Sequence, residues 1–436
     1  MVFKRAIYIV AARRTPFGTY GGKLKDFTAT HLQELANRAV FKQANLSPEL
    51  IDSTIVGNVR QSSSGAAYVA RHAALRSGVP NHVPALTVNR LCGSGFQSII
   101  SGGQEIELGD SNIVLCGGTE NMSQVPYSVR NVRFGTKLGQ DLKLEDTLWH
   151  GLTDEYINIP MGVTAENLAK KYNITRQDAD QYALQSQQRW KKANDQGAFK
   201  DEIESIKTKG KKGADELFDT DEHPRPQSNM EQLSKLPTVF IKDKGTVTAG
   251  NASGICDGAA AVIICNEEAL KKHNLKPLAR LVAYHISGVD PLIMGIGPVP
   301  AIENLLKKSQ KQISDIDLYD INEAFAPQFI ACQKTLKLPN EKTNVNGGAI
   351  ALGHPLGASG TRITTNLVYE LKRRQGKYAV GAACIGGGQE LSLDRLIPKV
   401  PQKLNYLHWI EDLIEHKIDA IGIDIGIKKK FFSMKI

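Results

Sequence analysis

Four short segments of this chain carry side chains whose type and setting could do chemistry. Cys92 lies in Asn89-Arg90-Leu91-Cys92-Gly93-Ser94-Gly95-Phe96, where an extended stretch should turn into a helix. A helix N-terminus offers free N–H groups and a positive dipole end, which lower a thiol pKa and can hold a developing oxyanion. The bland alternative is an inert buried cysteine. A second segment, Asn346-Gly347-Gly348-Ala349-Ile350-Ala351-Leu352-Gly353-His354-Pro355-Leu356-Gly357-Ala358-Ser359-Gly360, holds five glycines and a single histidine where a base would be needed. Cys384-Ile385-Gly386-Gly387-Gly388 again sets a cysteine at a strand end beside flexible backbone that can supply N–H donors. In Asn322-Glu323-Ala324-Phe325 the asparagine follows a strand; orienting a water and capping a helix are equal readings of it.

The rest of the chain must position these groups. With 436 residues, 41% apolar and 23% charged, two or three packed units of a globular protein are expected. No apolar run approaches the roughly 20 residues of a membrane span. The six cysteines stand far apart, without the close pairs or neighbouring histidines of a zinc site or a disulfide framework. A formal net charge of +9 suits nucleic acid, a membrane surface or an anionic ligand. The densest basic cluster, Lys207, Lys209, Lys211 and Lys212, lacks interleaved aromatics, so no nucleic-acid partner is expected. Lys4, Arg5, Arg13 and Arg14, with no acidic residue before Asp26, are compatible with mitochondrial import. The favoured structural reading of that region is a short first strand at 6–10 followed by a turn.

The chain also repeats one plan. A helical stretch from Leu32, a capped turn at Ser47-Pro48-Glu49 and a strand at 51–56 are matched by Ile302, Ser314-Asp315 and a strand at 316–321. Strands at 86–89 and 343–346 then open onto the turns of Cys92 and His354, and strands at 113–116 and 378–381 lead to further glycine turns. Strands alternating with helices predict an α/β fold of two parallel sheets packed together. The expected units are 1–120 with 245–275, then 276–390. A polar insertion at 121–244, with helices at 164–172 and 176–193, should cover the site.

Taken together, the four segments resemble the thiolase family from about Lys4 to Gln389. Segments 131–139, 182–190 and 250–254 share in the resemblance. It implies duplicated α/β halves packed together with an inserted cover, and an acyltransferase that works on coenzyme A thioesters. It further implies Cys92 as nucleophile, His354 as its base, and Cys384 as general acid and base. The backbone N–H groups of Cys92 and Gly386 would hold one oxyanion, and His354 with a water on Asn322 the other. Arg225, Ser228 and Ser253 are implied coenzyme A contacts. Coenzyme A would be a substrate, with no permanent cofactor or metal; a homotetramer and the mitochondrial matrix, without a cleaved presequence, are also implied.

A condensing ketoacyl synthase would share the cysteine nucleophile but use two histidines where this chain offers His354 and Cys384. A scaffold binding membrane or RNA would not need Cys92, His354 and Cys384 together. Short-chain acetoacetyl-CoA enzymes often carry a histidine before the Met-Gly of the insertion, whereas Pro160 stands here before Met161-Gly162. After Gln389 the resemblance implies a final apolar strand and an early end. Instead the chain reads Glu390-Leu391-Ser392-Leu393-Asp394-Arg395-Leu396, an alternating pattern expected at a sheet edge, which tolerates charge. Residues 391–436 form a divergent tail; its stretches 404–414 and 418–427 and its basic residues 428–430 read as an extension without function in preference to a membrane or partner contact.

Overall fold

The computed structural model describes residues 1–210 and 213–396. Lys211, Lys212 and the tail stretches beyond residue 396 lie outside the described residues. Nine strands form one ladder: β1 (Val2–Arg14), β2 (Ser53–Gly57), β3 (Ala85–Val88), β4 (Ile113–Asn121), β5 (Cys256–Asn266), β6 (Ala279–Gly288), β7 (Leu318–Ile321), β8 (Tyr378–Ile385) and β9 (Gln389–Leu396). Their order is β7-β8-β9-β6-β1-β5-β4-β2-β3, with Gly18–Thr19 pairing on β5. The first half reads β1-β5-β4-β2-β3 and the second β6-β9-β8-β7. Its missing fifth strand is represented by a single bridge from Tyr319 to Thr343.

Two expectations are thereby corrected. The half-sheets are not separate, because β1 pairs antiparallel with β6 and joins them. Nor are they wholly parallel: only β2–β3, β2–β4 and β7–β8 are, while β1–β5, β4–β5, β6–β9 and β8–β9 run antiparallel. Alternating strands and helices identify the layers, but strand direction follows from where each long crossover returns.

The first strand is also longer than the apolar run that announced it. Its end is held by Arg14, fully buried, whose guanidinium meets Glu202 at 2.8 Å and Asp221 at 2.6 Å. Charge there is tolerated because it is paired, and periodicity of apolar residues could not register it.

Between the halves lie α2 (Ser94–Leu108) and α7 (Ser359–Arg373), following α1 (Ala29–Ala44) in chain order. Their first turns meet so closely that a Cβ on Gly95 would stand 2.6 Å from the Thr361 nitrogen, and one on Gly360 would fall on the Phe96 nitrogen. Thr361 Oγ1 donates to the Gly95 carbonyl at 3.1 Å. Glycine at both places lets the two helix starts, and the turns preceding them, converge. From the stretch between β4 and β5 come α3 (Met161–Lys171) and α4 (Arg176–Asp195), within a few residues of where they were expected; α5 (Pro298–Lys308) and α6 (Ala326–Leu336) belong to the second half.

Strand β9 is not an edge. It lies between β8 and β6, with Leu391 and Leu393 in the main core and Glu390, Ser392 and Asp394 buried on its other face. Ser392 donates to the Ala301 carbonyl at 2.9 Å and Asp394 pairs with Lys311 at 3.3 Å. Ser392 and Asp394 thus find partners on α5 and the loop after it.

Candidate active site

The elbow that carries Cys92 is strained and braced. Leu91 has φ of 44°, a left-handed conformation that costs a bulky residue about 1–3 kcal/mol. Asn89 Oδ1 accepts from the Leu91 N–H at 3.0 Å, and Ser94 Oγ accepts from the Arg90 N–H at 2.8 Å while donating to the Leu91 carbonyl at 2.7 Å. The helix starts at Ser94, so Cys92 sits just before its N-cap, Gly93. A Cβ on Gly93 would fall on Ile385, so the elbow can press against the strand end that carries Cys384.

Cys92, His354, Cys384, Gly386 and Ser253 line one cavity of about 550 Å³. Its walls are largely apolar, with Leu91, Met122, Met161, Met294 and Leu356 among them. Trp149 and Phe240 stack at 6.5 Å, and Phe325 meets Phe240 edge-on at 6.3 Å. Trp149 and Phe240 carried no signal in the sequence, each standing alone in the polar insertion.

Burial pushes the Cys92 thiol up to about 12, against the N–H groups of Gly386 and Cys92 itself, which favour the thiolate. The expectation of a lowered pKa is thus reversed in the resting state, because desolvation outweighs the helix start. Two backbone donors nevertheless converge on this sulfur, as an oxyanion site requires. For Cys384, burial first pushes the thiol well above its ordinary range, and the anionic forms of Glu390 and Cys92 would add to that.

His354 offers a neutral imidazole beside the two cysteines. Its Nδ1 lies 2.5 Å from Ser359 Oγ, which spends its own proton on the Pro355 carbonyl at 3.0 Å. Nδ1 must therefore carry hydrogen, which leaves Nε2 as the lone-pair nitrogen, 3.3 Å from Asn322 Nδ2. Burial, and after it Arg362, hold the imidazole down to about 3, so it is neutral at working pH. Asn322 Oδ1 is buried without a partner, an acceptor available to a water. The asparagine does not cap α6, whose N-cap is Phe325.

Two buried carboxylates hold this arrangement, and sequence reasoning missed both. Glu120 accepts from the N–H groups of Arg60 at 2.8 Å, Gly357 at 2.9 Å and Val59 at 3.1 Å, tying the histidine turn to the end of β4. Glu323 accepts from Tyr182 at 2.6 Å, Ser186 at 2.7 Å, Asn344 at 3.1 Å and the Ile350 N–H at 3.1 Å, fixing α4 to the segment that carries Asn322. The available signal was, for Glu120, its place after Gly117-Gly118 at a strand end and, for Glu323, its place directly after Asn322. The 250–254 segment is fastened between these parts: Ser253 N–H donates to the Ala324 carbonyl and His354 N–H to the Gly254 carbonyl, both at 2.9 Å.

Arg225 and Ser228 do not join the cavity lining. Arg225 is exposed and turns its guanidinium onto carbonyls of its own loop, including His223 at 2.6 Å and Pro224 at 3.0 Å. That loop touches the site indirectly, through His223 packed over Gly254. Among the described residues there is no His, Cys, Asp and Glu cluster able to hold a metal ion, and no helix long and apolar enough to cross a membrane.

An elbow cysteine, a neutral histidine and a second strand-end cysteine around one cavity, on a duplicated α/β frame, define a thiol-dependent acyl-transfer enzyme. Residues 7–268 match the thiolase N-terminal domain and residues 275–394 the thiolase C-terminal domain, and the chain belongs to the thiolase family. It is 66% identical over 393 residues to the mitochondrial 3-ketoacyl-CoA thiolase of Mus musculus, and 63% identical over the same length to that of Homo sapiens, covering 90% of this chain and 98% of each relative. The crystal structure of human mitochondrial 3-ketoacyl-CoA thiolase superposes with a TM-score of 0.90 at 62% identity, covering 91% of this chain and 100% of that one; a second human structure, in complex with CoA, gives 0.89.

Proposed function

We propose that the chain cleaves 3-ketoacyl-CoA with free coenzyme A to acetyl-CoA and a shortened acyl-CoA. The observation that carries this reading is the convergence of Cys92, His354, Cys384 and the Gly386 backbone on one cavity. His354 Nε2 takes the Cys92 proton, and the thiolate attacks the 3-keto carbon. The N–H groups of Cys92 and Gly386 hold the tetrahedral oxyanion. The C2–C3 bond then breaks, leaving the acyl group on Cys92 and the enolate of acetyl-CoA, which faces the Nε2–H of His354 and a water on Asn322. Cys384 gives its proton to the enolate carbon, and its thiolate takes one from the incoming coenzyme A thiol. The coenzyme A thiolate so formed attacks the acyl thioester, the bond to Cys92 breaks to release the shortened acyl-CoA, and Cys92 recovers its proton from His354. Coenzyme A acts as a substrate, no step calls for a permanent cofactor, and the segment 121–244 covers the site.

The apolar cavity and Pro160 before Met161-Gly162 favour a broad degradative enzyme over one confined to acetoacetyl-CoA. Ser253 on the cavity wall and the solvent-accessible Arg225 and Ser228 on the neighbouring loop are the proposed coenzyme A contacts. The names of the relatives support a mitochondrial location. Arg14 is locked in buried ion pairs and β1 joins the two half-sheets, so import would proceed without removal of this strand. A homotetramer remains the proposed assembly.

Loss of the 3-keto thioester is followed with acetoacetyl-CoA and with a medium-chain 3-ketoacyl-CoA, each with free coenzyme A, beside Cys92→Ala and Cys384→Ala. Turnover by the parent, faster with the longer substrate and lost in both variants, is expected. A folded parent without turnover would contradict the reading.

A further inference from the structure

Behind Cys384 lies a carboxyl group that the scheme above does not use. Glu390 is the antiparallel partner of Cys384 in the β8–β9 ladder, and side chains directly opposite share a face with Cβ atoms about 5 Å apart. Both residues are 0% exposed. A Cβ on Gly297 would fall onto the Glu390 carboxyl carbon, so the carboxyl fills the space which only glycine leaves at the start of α5. This helix start is a poor host for an anion, because Pro298 and Pro300 remove two of its first three N–H groups. Neither carboxyl oxygen has a hydrogen-bond partner.

Of the groups around it only the Ile385 N–H favours a charge, and it makes no full hydrogen bond to the carboxyl. Cys384 lies across the ladder; Cys332, from α6, is committed to the Gly295 carbonyl at 3.2 Å; Cys92 lies on the elbow before α2. The buried residues of α5 nearby, Val299, Ala301 and Ile302, cannot titrate. Farther along the same face Asp394 meets Lys311, and His285 of β6 meets Lys308 of α5 at 2.9 Å. An ionised carboxylate so placed would be a desolvated, unpaired charge. The group is therefore an un-ionised acid, and burial accordingly drives its ionisation well above the ordinary carboxylate range.

A neutral carboxyl carries one O–H donor. Resting Cys384 is a weak acceptor, but the thiolate that forms when it protonates the enolate is a strong one on the same face. We propose that Glu390 is a positioning residue for Cys384, a neutral carboxylic acid that donates a hydrogen bond to the Cys384 thiolate formed in each turnover. No proton is transferred in this step: the O–H bond stays intact and the sulfur gains a donor. The proposal rests on the thiolase reading for its place in the cycle. Its sign is definite. Protonated Glu390 lowers the cost of the thiolate, whereas ionised Glu390 raises it, so activity falls as pH rises through the ionisation of Glu390.

The test uses the full chain, with Glu390→Gln, which keeps a donor and cannot ionise, and Glu390→Leu, which keeps neither. Infrared difference spectra against Glu390→Gln should show the carbonyl stretch of a buried protonated acid. In a Cys92→Ala background, the pH dependence of Cys384 alkylation by iodoacetamide should shift to higher pH in Glu390→Leu. Turnover should fall about tenfold in Glu390→Leu with little change in KM. Glu390→Gln should keep most of its turnover and lose the alkaline decline. An absent acid band, or alkylation profiles that superimpose in the parent and both variants, would overturn the proposal even in an active enzyme. The band and the alkylation shift in an enzyme without thiolytic turnover would support it while removing the thiolase reading.

Discussion

The two halves share a strand order but treat equivalent corners differently. At the turn into α2 the first half places Cys92; at the turn into α7 the second half places His354, and Gly95 against Gly360 brings the two turns together. At the end of β4 stands Glu120, while β8 ends on Cys384. Glu120 has its oxygens filled by three backbone N–H groups that belong to both halves. Around Cys384, by contrast, Asn322 Oδ1 and both Glu390 oxygens lack partners. Saturated Glu120 ties the two halves together, whereas the polar atoms left open beside Cys384 are the ones the proposals assign to a water and to the Cys384 thiolate.

Breaking that asymmetry on the reactive side should have the largest effect. Cys92→Ala should lower turnover by about 10⁴ or more, since it removes the covalent route itself. For His354→Asn a loss of about 10²–10⁴ is expected, with alkylation of Cys92 by iodoacetamide slowed in parallel. An alkylation rate equal to the parent's would separate the histidine from the nucleophile. On the saturated side, Glu120→Gln turns an NH₂ toward backbone donors, and a buried clash of this kind costs about 1–3 kcal/mol. Chemical denaturation should register that loss, together with a smaller drop in turnover as the histidine turn loosens.

The histidine also leaves a mark on acid stability. Its folded pKa is held to about 3 against 6.5 unfolded. Below pH 6.5 the unfolded chain gains a proton that the folded one refuses, so stability declines from pH 6.5 toward 3. His354→Asn removes that term, and its stability should fall less steeply over the window; identical slopes would mean that the imidazole titrates freely in the fold.

Much of this was legible beforehand because glycine-rich turns at strand ends are local features, and the repeated plan announced which turns correspond. Arg225 stays a proposed coenzyme A contact: an exposed guanidinium can reach a ligand or fold back on its own loop, and spacing alone does not decide between them. Strand β9 was taken for an edge from its charges, although its counterpart in the first half, β5, is central. The topology outranks composition there, and partners such as Lys311 and the Ala301 carbonyl lie 83 and 91 residues away in sequence. Glu120 and Glu323 were overlooked because their partners, such as the Gly357 N–H for Glu120 and Tyr182 for Glu323, lie far away in sequence and leave no motif.

The central claim is that the two cysteines have unequal roles. The enzyme is mixed with a 3-ketoacyl-CoA without free coenzyme A, quenched in acid, and its peptides are weighed to locate the acyl group. The account predicts a shortened acyl thioester on Cys92 and none in Cys92→Ala. Acyl groups found on Cys384 instead, or retained in Cys92→Ala, would contradict it.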